Sequence, residues 1–210
     1  IEKKDNYTFP SKDLLNKSNE EIDNKKHYNL SKILLKKDMN DKLIIPIGID
    51  EQKNKYYVDL KNSSGMFIGG ETGSGKSVLL DSIITTLLFK NSPTDLKLLL
   101  IDPSKVELNQ YKDIPHLLSN VISNPQEALE QLNNIIKIIE ERKEKLHYSK
   151  TRNIEMYNEY NEDKLSHIII LIDESVDIMK LNDTQKILEK ILKEGYYLGI
   201  HLILATSAYF

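Results

Sequence analysis

The chain is predicted to fold as an α/β protein with a mostly parallel central sheet and helices on both of its faces. The runs "LKLLLID", "HIIILIDES" and "IHLILAT" are apolar almost throughout their strand positions, which is how strands buried on both faces of a parallel sheet read. Segments of helical periodicity lie between such runs, so strand and helix alternate along the chain. A length of 210 residues suits one sizeable core, or one domain with a short extension.

Residues 1–42 stand apart from this pattern. They are rich in Lys, Asn, Asp and Ser with only isolated apolar pairs, and are expected to form a polar arm or entry linker. Lys25, Lys26, Lys36 and Lys37 fall here, and charge runs of this kind are ordinarily solvated faces. The α/β pattern begins at Leu43 and runs over 43–210. "LIIPIGID" and "KYYVDL" read as strands flanking a turn at "DEQKNK", and "GMFIGG" as the next strand. "SVLLDSIITTLLF" is a helix, with Leu79, Ile83, Thr86 and Leu87 spaced to face a sheet. After the strand "LKLLLID" comes the long helix "NPQEALEQLNNIIKIIEERKEKL". Asn124 is its expected N-cap, Pro125 suits the first turn, and Glu127 sits where a capping box wants it. Leu129, Leu132, Ile135, Ile136 and Ile139 form its expected buried stripe. The strand "HIIILIDES", the helix "TQKILEKILKEGYY" and the strand "IHLILAT" complete the series.

Several chemistries are set aside by composition. With no cysteine the chain has no disulfide, thiolate metal site or cysteine nucleophile, consistent with a cytoplasmic location. No apolar run approaches the roughly 18 residues that signal a membrane span, and the opening "IEKKDNYTF" has no apolar signal segment. A net charge of −3 argues against a wholly basic nucleic-acid binder, while leaving room for a local basic lining. Neither H-E-x-x-H nor G-x-S-x-G occurs.

Gly70-Glu71-Thr72-Gly73-Ser74-Gly75-Lys76-Ser77, followed by Val78, fits G-x-x-x-x-G-K-[ST] and lies between an apolar strand and an amphipathic helix. Glycines let consecutive backbone N–H groups turn inward around phosphate oxygens without side-chain collision. The helix that begins here adds about half a positive charge at its N-terminus, which favours a polyanion. Lys76 would span the β- and γ-phosphates, and the Ser77 hydroxyl would help hold Mg²⁺. Such a loop needs a carboxylate at the end of a neighbouring strand to order the Mg²⁺ shell through water, and Asp173 supplies one. Glu174 follows it, placed to act as general base on a water facing the γ-phosphate. The bland alternative is a strand that ends in acidic residues at the surface.

At these residues the chain resembles the FtsK/SpoIIIE DNA translocases, RecA-like ATP-driven motors. The resemblance runs from Leu43 to Thr206 through "TGSGKSV", "LLLIDPSKVELNQYKDIPHLL", "RNIEMYNEY", "LIDESVDIM" and "GIHLILAT", with "YTFPSKDLLN" near the start. It implies ATP as the nucleotide, a motor domain over 43–210 that is incomplete at its C-terminal end, and a homo-oligomeric ring, commonly a hexamer. That ring would thread double-stranded DNA in chromosome partition or mobile-element transfer, as in conjugation. A membrane would be reached only through a segment not present in this chain. Asp102 would lie near the nucleotide or a subunit junction, or else cap "PSKVEL"; His116 reads as a loop histidine held by backbone hydrogen bonds.

Where the family carries A-T-Q-R-P after the last strand, this chain has "ATSAYF". Ser207 stands in place of a polar sensor glutamine and Ala208 in place of an arginine facing DNA, so both positions are expected to lose reach. Tyr196 occupies the position of an arginine offered to the neighbouring subunit's nucleotide, and Lys190 is the nearest basic substitute. An arginine finger is worth about 10³ to 10⁵ in rate, so hydrolysis is expected to be weak or partner-dependent. Two other readings are an ATPase of a protein-secretion apparatus and a nucleotide-binding assembly module that does not hydrolyse.

Overall fold

The computed structural model describes Tyr7, Thr8, Leu30 and residues 42–207. Lys25, Lys26, Lys36, Lys37 and Ala208 lie outside the described residues. The chain forms two compact units: one is described over 42–59 and Ser77–Ser92, the other comprises Leu60–Lys76 and the residues from Pro93 onward.

In the first unit, strands β1 (Ile44–Ile49) and β2 (Lys55–Asp59) form an antiparallel hairpin. Pro46 cannot donate to a ladder, and the pairing slips between Pro46 and Gly48, a bulge where a strand proline is tolerated. Asp50 closes the turn: its carboxylate accepts from the Asn54 backbone N–H (2.7 Å), the Asn54 side-chain amide (2.8 Å) and the Tyr56 hydroxyl (3.0 Å). Helix α1 (Lys76–Lys90) buries Leu80, Ile83, Ile84, Thr86 and Leu87. Leu79, expected in that stripe, is only half-buried, and its place is taken by Leu80 one residue on. The end of α1 is tied to the hairpin by Lys90 Nζ donating to the Ile44 carbonyl (2.7 Å) and Asn91 Nδ2 to the Lys42 carbonyl (2.9 Å).

The second unit is built on four parallel strands, β3 (Gly65–Gly69), β4 (Leu96–Ile101), β5 (His167–Ile172) and β6 (Ile200–Thr206), in the order β3-β6-β5-β4. Leu99, Ile101, Ile168, Ile170, Ile172, Ile200 and Leu202 form one buried face. They join a core with α2 (Pro125–Tyr148), α3 (Ile154–Tyr160), α4 (Val176–Met179) and α5 (Thr184–Glu194). Leu98, Leu100, Ile169, Leu171 and Ile203 on the other face are equally inaccessible, hence the unbroken apolar runs. Beyond β4 the sheet is extended by the loop that follows it: Leu98 N–H donates to the His116 carbonyl (2.8 Å), Leu118 N–H to Leu98 (2.9 Å) and Ile122 N–H to Leu100 (3.0 Å). His116 is therefore held through its backbone, as a loop histidine.

Asn124 caps α2 as expected, its side chain accepting from Gln126 N–H (2.8 Å) and Glu127 N–H (3.4 Å), with Pro125 opening the helix. The buried stripe is Ala128, Leu132, Ile135, Ile139, Arg142 and Leu146; Leu129 and Ile136 flank it half-buried. Alternate steps of four and three keep all six on one side. Arg142 completes the stripe by donating to the carbonyls of Leu198 (2.6 Å) and Ser166 (2.8 Å). Burial pushes its guanidinium down to about 10, still charged at neutral pH. The Leu198 carbonyl is presented by a tight turn into β6, where Gly199 takes φ 74° and a Cβ would lie 2.4 Å from Ile154 Cδ1.

Arg142→Met is expected to lower stability by about 2–4 kcal/mol, read as a urea midpoint, because one buried and one half-buried carbonyl lose their donors; Arg142→Lys recovers only part, since an ammonium lacks the planar fork. His167, near Arg142 at the other end of β5, makes no hydrogen bond through Nδ1 and stacks on His201 at 5.9 Å. Burial, with His201, Lys61 and Arg142 nearby and Asp95 opposing, pushes its imidazole down to about 3. Its ring also faces Glu155, 3.8 Å away. The folded value lies below the ordinary value of about 6.5, so the stability this neutral ring contributes is complete above that pH and is lost as pH falls toward the folded value. The urea midpoint should fall as pH is lowered through this window, and His167→Gln should flatten the slope.

Candidate nucleotide site

Every candidate site residue of the second unit follows the carboxyl end of one of its four parallel strands. Gly70 follows β3, Asp102 follows β4, Asp173 and Glu174 follow β5, and Ser207 follows β6. In parallel α/β sheets this is the edge where ligands bind.

The glycine loop begins with Gly70 N–H donating to the Thr206 carbonyl (3.2 Å), and turns through Ser74 N–H to the Glu71 carbonyl (3.0 Å). Gly73 and Gly75 take φ 83° and 94°, conformations that side chains rarely tolerate. At Gly70 a Cβ would lie 2.4 Å from Ser74 Oγ, so the loop closes only on a bare backbone. Glu71, Thr72, Gly73, Ser74 and Gly75 are exposed; Lys76 opens α1, with Ser77 half-buried and Val78 exposed in its first turn.

Lys76 turns its ammonium into the acidic pair. Nζ donates to Asp173 Oδ1 at 2.6 Å and to Glu174 Oε1 at 2.8 Å; the lysine side chain is 9% exposed, Asp173 1% and Glu174 32%. Burial alone would lower the lysine, but its hydrogen bonds to both carboxylates, with their charges, outweigh it and hold the ammonium above its ordinary value. Burial raises Asp173, and Lys76 offsets only part of that. Glu174 goes the other way: burial opposes ionisation, yet Lys76 and Ser207 hold its carboxyl below the usual range. The Glu174 backbone takes φ 47°, a left-handed conformation that costs a residue with a Cβ about 1–3 kcal/mol and persists only when neighbours fix it.

Ser207 lies against the acidic pair. Its N–H (3.1 Å) and Oγ (2.9 Å) both donate to Glu174 Oε2. A serine after a strand has no sequence signature for this contact, and the Thr206 carbonyl that anchors Gly70 has none either. Asp102, in contrast, is fully buried and committed to its own loop, accepting from Ser104 Oγ, Lys105 N–H (3.1 Å) and Leu108 N–H (3.0 Å). That is the capping arrangement of "PSKVEL", with both carboxylate oxygens engaged away from Lys76. Lys190 pairs with Glu140 of the same chain (2.7 Å), and Tyr196 is exposed with its ring edge-on to Tyr197.

Comparison with known proteins gives this arrangement a family. Residues 34–166 match the model of the FtsK/SpoIIIE family, more than half of the chain. The chain belongs to the FtsK/SpoIIIE family. It is 39% identical over 177 residues to a DNA translocase FtsK of Campylobacter jejuni, covering 81% of this chain and 19% of that protein. A DNA translocase FtsK of Staphylococcus epidermidis is 37% identical over 196 residues, covering 85% of this chain and 25% of that one. The chain therefore spans about a fifth to a quarter of these FtsK relatives. Among solved structures, the pCW3 conjugation coupling protein TcpA, in a monomer form with ATPγS, superimposes with a TM-score of 0.62 at 25% identity, over 79% of this chain and 48% of that one. EssC (ATPases 2 and 3) of Geobacillus thermodenitrificans gives 0.73 at 22% identity, over 80% and 34%. The α/β P-loop ATPase fold of the RecA-like class, read from the sequence, is the fold this FtsK/SpoIIIE chain adopts.

The Lys76 bridge carries a stability consequence. Lys76→Met keeps the aliphatic stem but leaves two carboxylates facing each other, one buried, and is expected to cost about 3–5 kcal/mol at pH 7 in urea unfolding. The loss should shrink toward pH 5, because Asp173, already raised and now without its cation, can protonate in the folded state.

Proposed function

We propose that this chain is the ATP-hydrolysing motor of a double-stranded DNA translocase, acting in chromosome partition or mobile-element transfer. The observation that carries the reading is the Lys76 ammonium poised between Asp173 and Glu174 beside a loop that only glycines can close. The loop amides and the N-terminus of α1 would receive the phosphate chain, and Lys76 would move onto the β- and γ-phosphates. Nucleotide-binding is assigned to Gly70, Glu71, Thr72, Gly73, Ser74, Gly75, Lys76, Ser77 and Val78.

A hard divalent cation fits the donors present. Mg²⁺ is ordinarily bound through one or two carboxylates plus substrate phosphates, and Asp173 offers a buried carboxylate that would hold it through water. The motif gives the Ser77 hydroxyl a place in the same coordination. When bound, Mg²⁺ neutralises charge developing on the phosphate oxygens. Glu174 takes a proton from water as its oxygen attacks the γ-phosphorus; the bond to the bridging oxygen breaks, releasing ADP and phosphate.

DNA as the substrate is supported by the FtsK relatives at 37–39% identity. Assembly as a homo-oligomeric ring, hexameric when active, and a cytoplasmic location belong to the same reading. Among the described residues no helix is long and apolar enough to cross a membrane. Turnover by the chain alone is expected to be slow, with Tyr196 exposed and Lys190 already paired to Glu140. A second reading, a protein-secretion ATPase, draws on the likeness to EssC and to the Thermomonospora curvata type VII secretion ATPase EccC, whose TM-score is 0.68 at 22% identity over 88% of this chain and 23% of that one.

The test is ATP turnover with and without duplex DNA. DNA should stimulate it, and Lys76→Ala or Glu174→Gln should reduce it by about 10² to 10⁴-fold. DNA affinity should fall steeply with added salt. Turnover indifferent to DNA but stimulated by a secreted polypeptide favours the second reading.

A further inference from the structure

Glu174 is held at both carboxylate oxygens. Lys76 Nζ donates to Oε1, while Ser207 N–H and Oγ converge on Oε2. The last two residues of β6 and the one that follows it make this possible. The Ala205 carbonyl accepts from Ser175 N–H (3.1 Å), the Thr206 carbonyl accepts from Gly70 N–H (3.2 Å), and Ser207 then meets Glu174. Three successive residues thus fix the residue after the glutamate, the start of the glycine loop and the glutamate itself.

Resting on the hydrolytic reading above, we propose that Ser207 is a positioning residue for Glu174. The catalytic cycle asks Lys76 to leave Oε1 and engage phosphate. A carboxylate held only by that lysine would then rotate freely about its terminal torsion. Two donors on Oε2, one of them a backbone amide at a strand end, keep the carboxylate plane fixed and leave Oε1 available to accept the proton of the attacking water. The left-handed backbone at Glu174 aims the side chain toward the end of β6 and is stabilised there by these same bonds. Ser207 acts through Glu174 and needs no contact with the nucleotide.

The experiment compares Ser207→Ala and Ser207→Thr with the parent chain, using Mg·ATP with duplex DNA present. Ser207→Ala should lower kcat about 10-fold or more while KM and the nucleotide dissociation constant stay within about twofold, and Ser207→Thr, which keeps a hydroxyl, should retain most of the parent kcat. Hydrogen exchange supplies a readout independent of turnover: the Ser207 amide should be protected in the parent and lose protection in Glu174→Ala, while amides within β6 keep theirs. Parent-like kcat in Ser207→Ala, or a Ser207 amide indifferent to Glu174→Ala, overturns this proposal alone. Failure of the parent to hydrolyse ATP under any of these conditions overturns the hydrolytic reading and this proposal with it. A loss in Ser207→Ala that appears as weakened nucleotide binding, with kcat unchanged, also overturns it.

Discussion

The site depends on one cation bridging two strand ends. In the order β3-β6-β5-β4, the glycine loop leaves β3 and the acidic pair follows β5, with β6 between them. Two strand spacings are about 9.6 Å, a gap that a loop and an extended lysine can close but that no backbone ladder crosses. Lys76 closes it at 2.6 and 2.8 Å. Because the bridge passes over the end of β6, the residues that end and follow that strand must lie directly beneath it. Thr206 and Ser207 are those residues, and both are bonded into the bridge's supports. The parallel topology thus creates the position that Ser207 occupies.

The bridge is also electrostatically unfinished. One ammonium faces two carboxylates, leaving an excess of negative charge in a site where Asp173 is almost wholly removed from water. Burial therefore raises Asp173, while Glu174, more exposed and given two further donors by Ser207, is held ionised. A phosphate chain drawing Lys76 away would deepen the imbalance unless a divalent cation arrived with it. Elsewhere the chain has few cations of the right kind in reserve: of its two arginines, Arg142 is buried against backbone carbonyls that hold the turn into β6.

Much of this was legible in sequence because the relevant signals are local. Apolar runs gave the four parallel strands, Asn124 with Pro125 gave the start of α2, and the glycine spacing gave a loop whose positive φ angles are those glycine allows. What escaped were facts set by distant packing. The α2 stripe extends past Ile139 to Arg142 and Leu146, because two carbonyls from other segments make a charged residue part of the core. The stripe of α1 was misplaced by one residue at Leu79, since a helix rich in apolar residues all round does not disclose which side is covered. The segment around His116 carries no strand pattern, and its pairing beyond β4 is visible only in the backbone hydrogen bonds.

Strand order also explains why two nearly identical sequence signals have different fates. "LLLID" and "ILIDE" each end a buried strand in aspartate, and local pattern alone does not rank Asp102 below Asp173. β4 is three strand spacings from β3, about 14 Å, one spacing farther than β5. A buried aspartate at that distance must find its donors locally, and "PSKVEL" provides them: a serine hydroxyl two residues on and two backbone amides in a turn made by Lys105 at φ 61°. After β5 the left-handed backbone of Glu174 follows at once and Ser175 N–H is taken by the Ala205 carbonyl, so the local donor to Asp173 is the Glu174 N–H. Asp173 Oδ1 accepts from the Lys76 ammonium at 2.6 Å. Lateral position in the sheet thus sets which partners each strand-end aspartate meets: local donors after β4 and the Lys76 ammonium after β5.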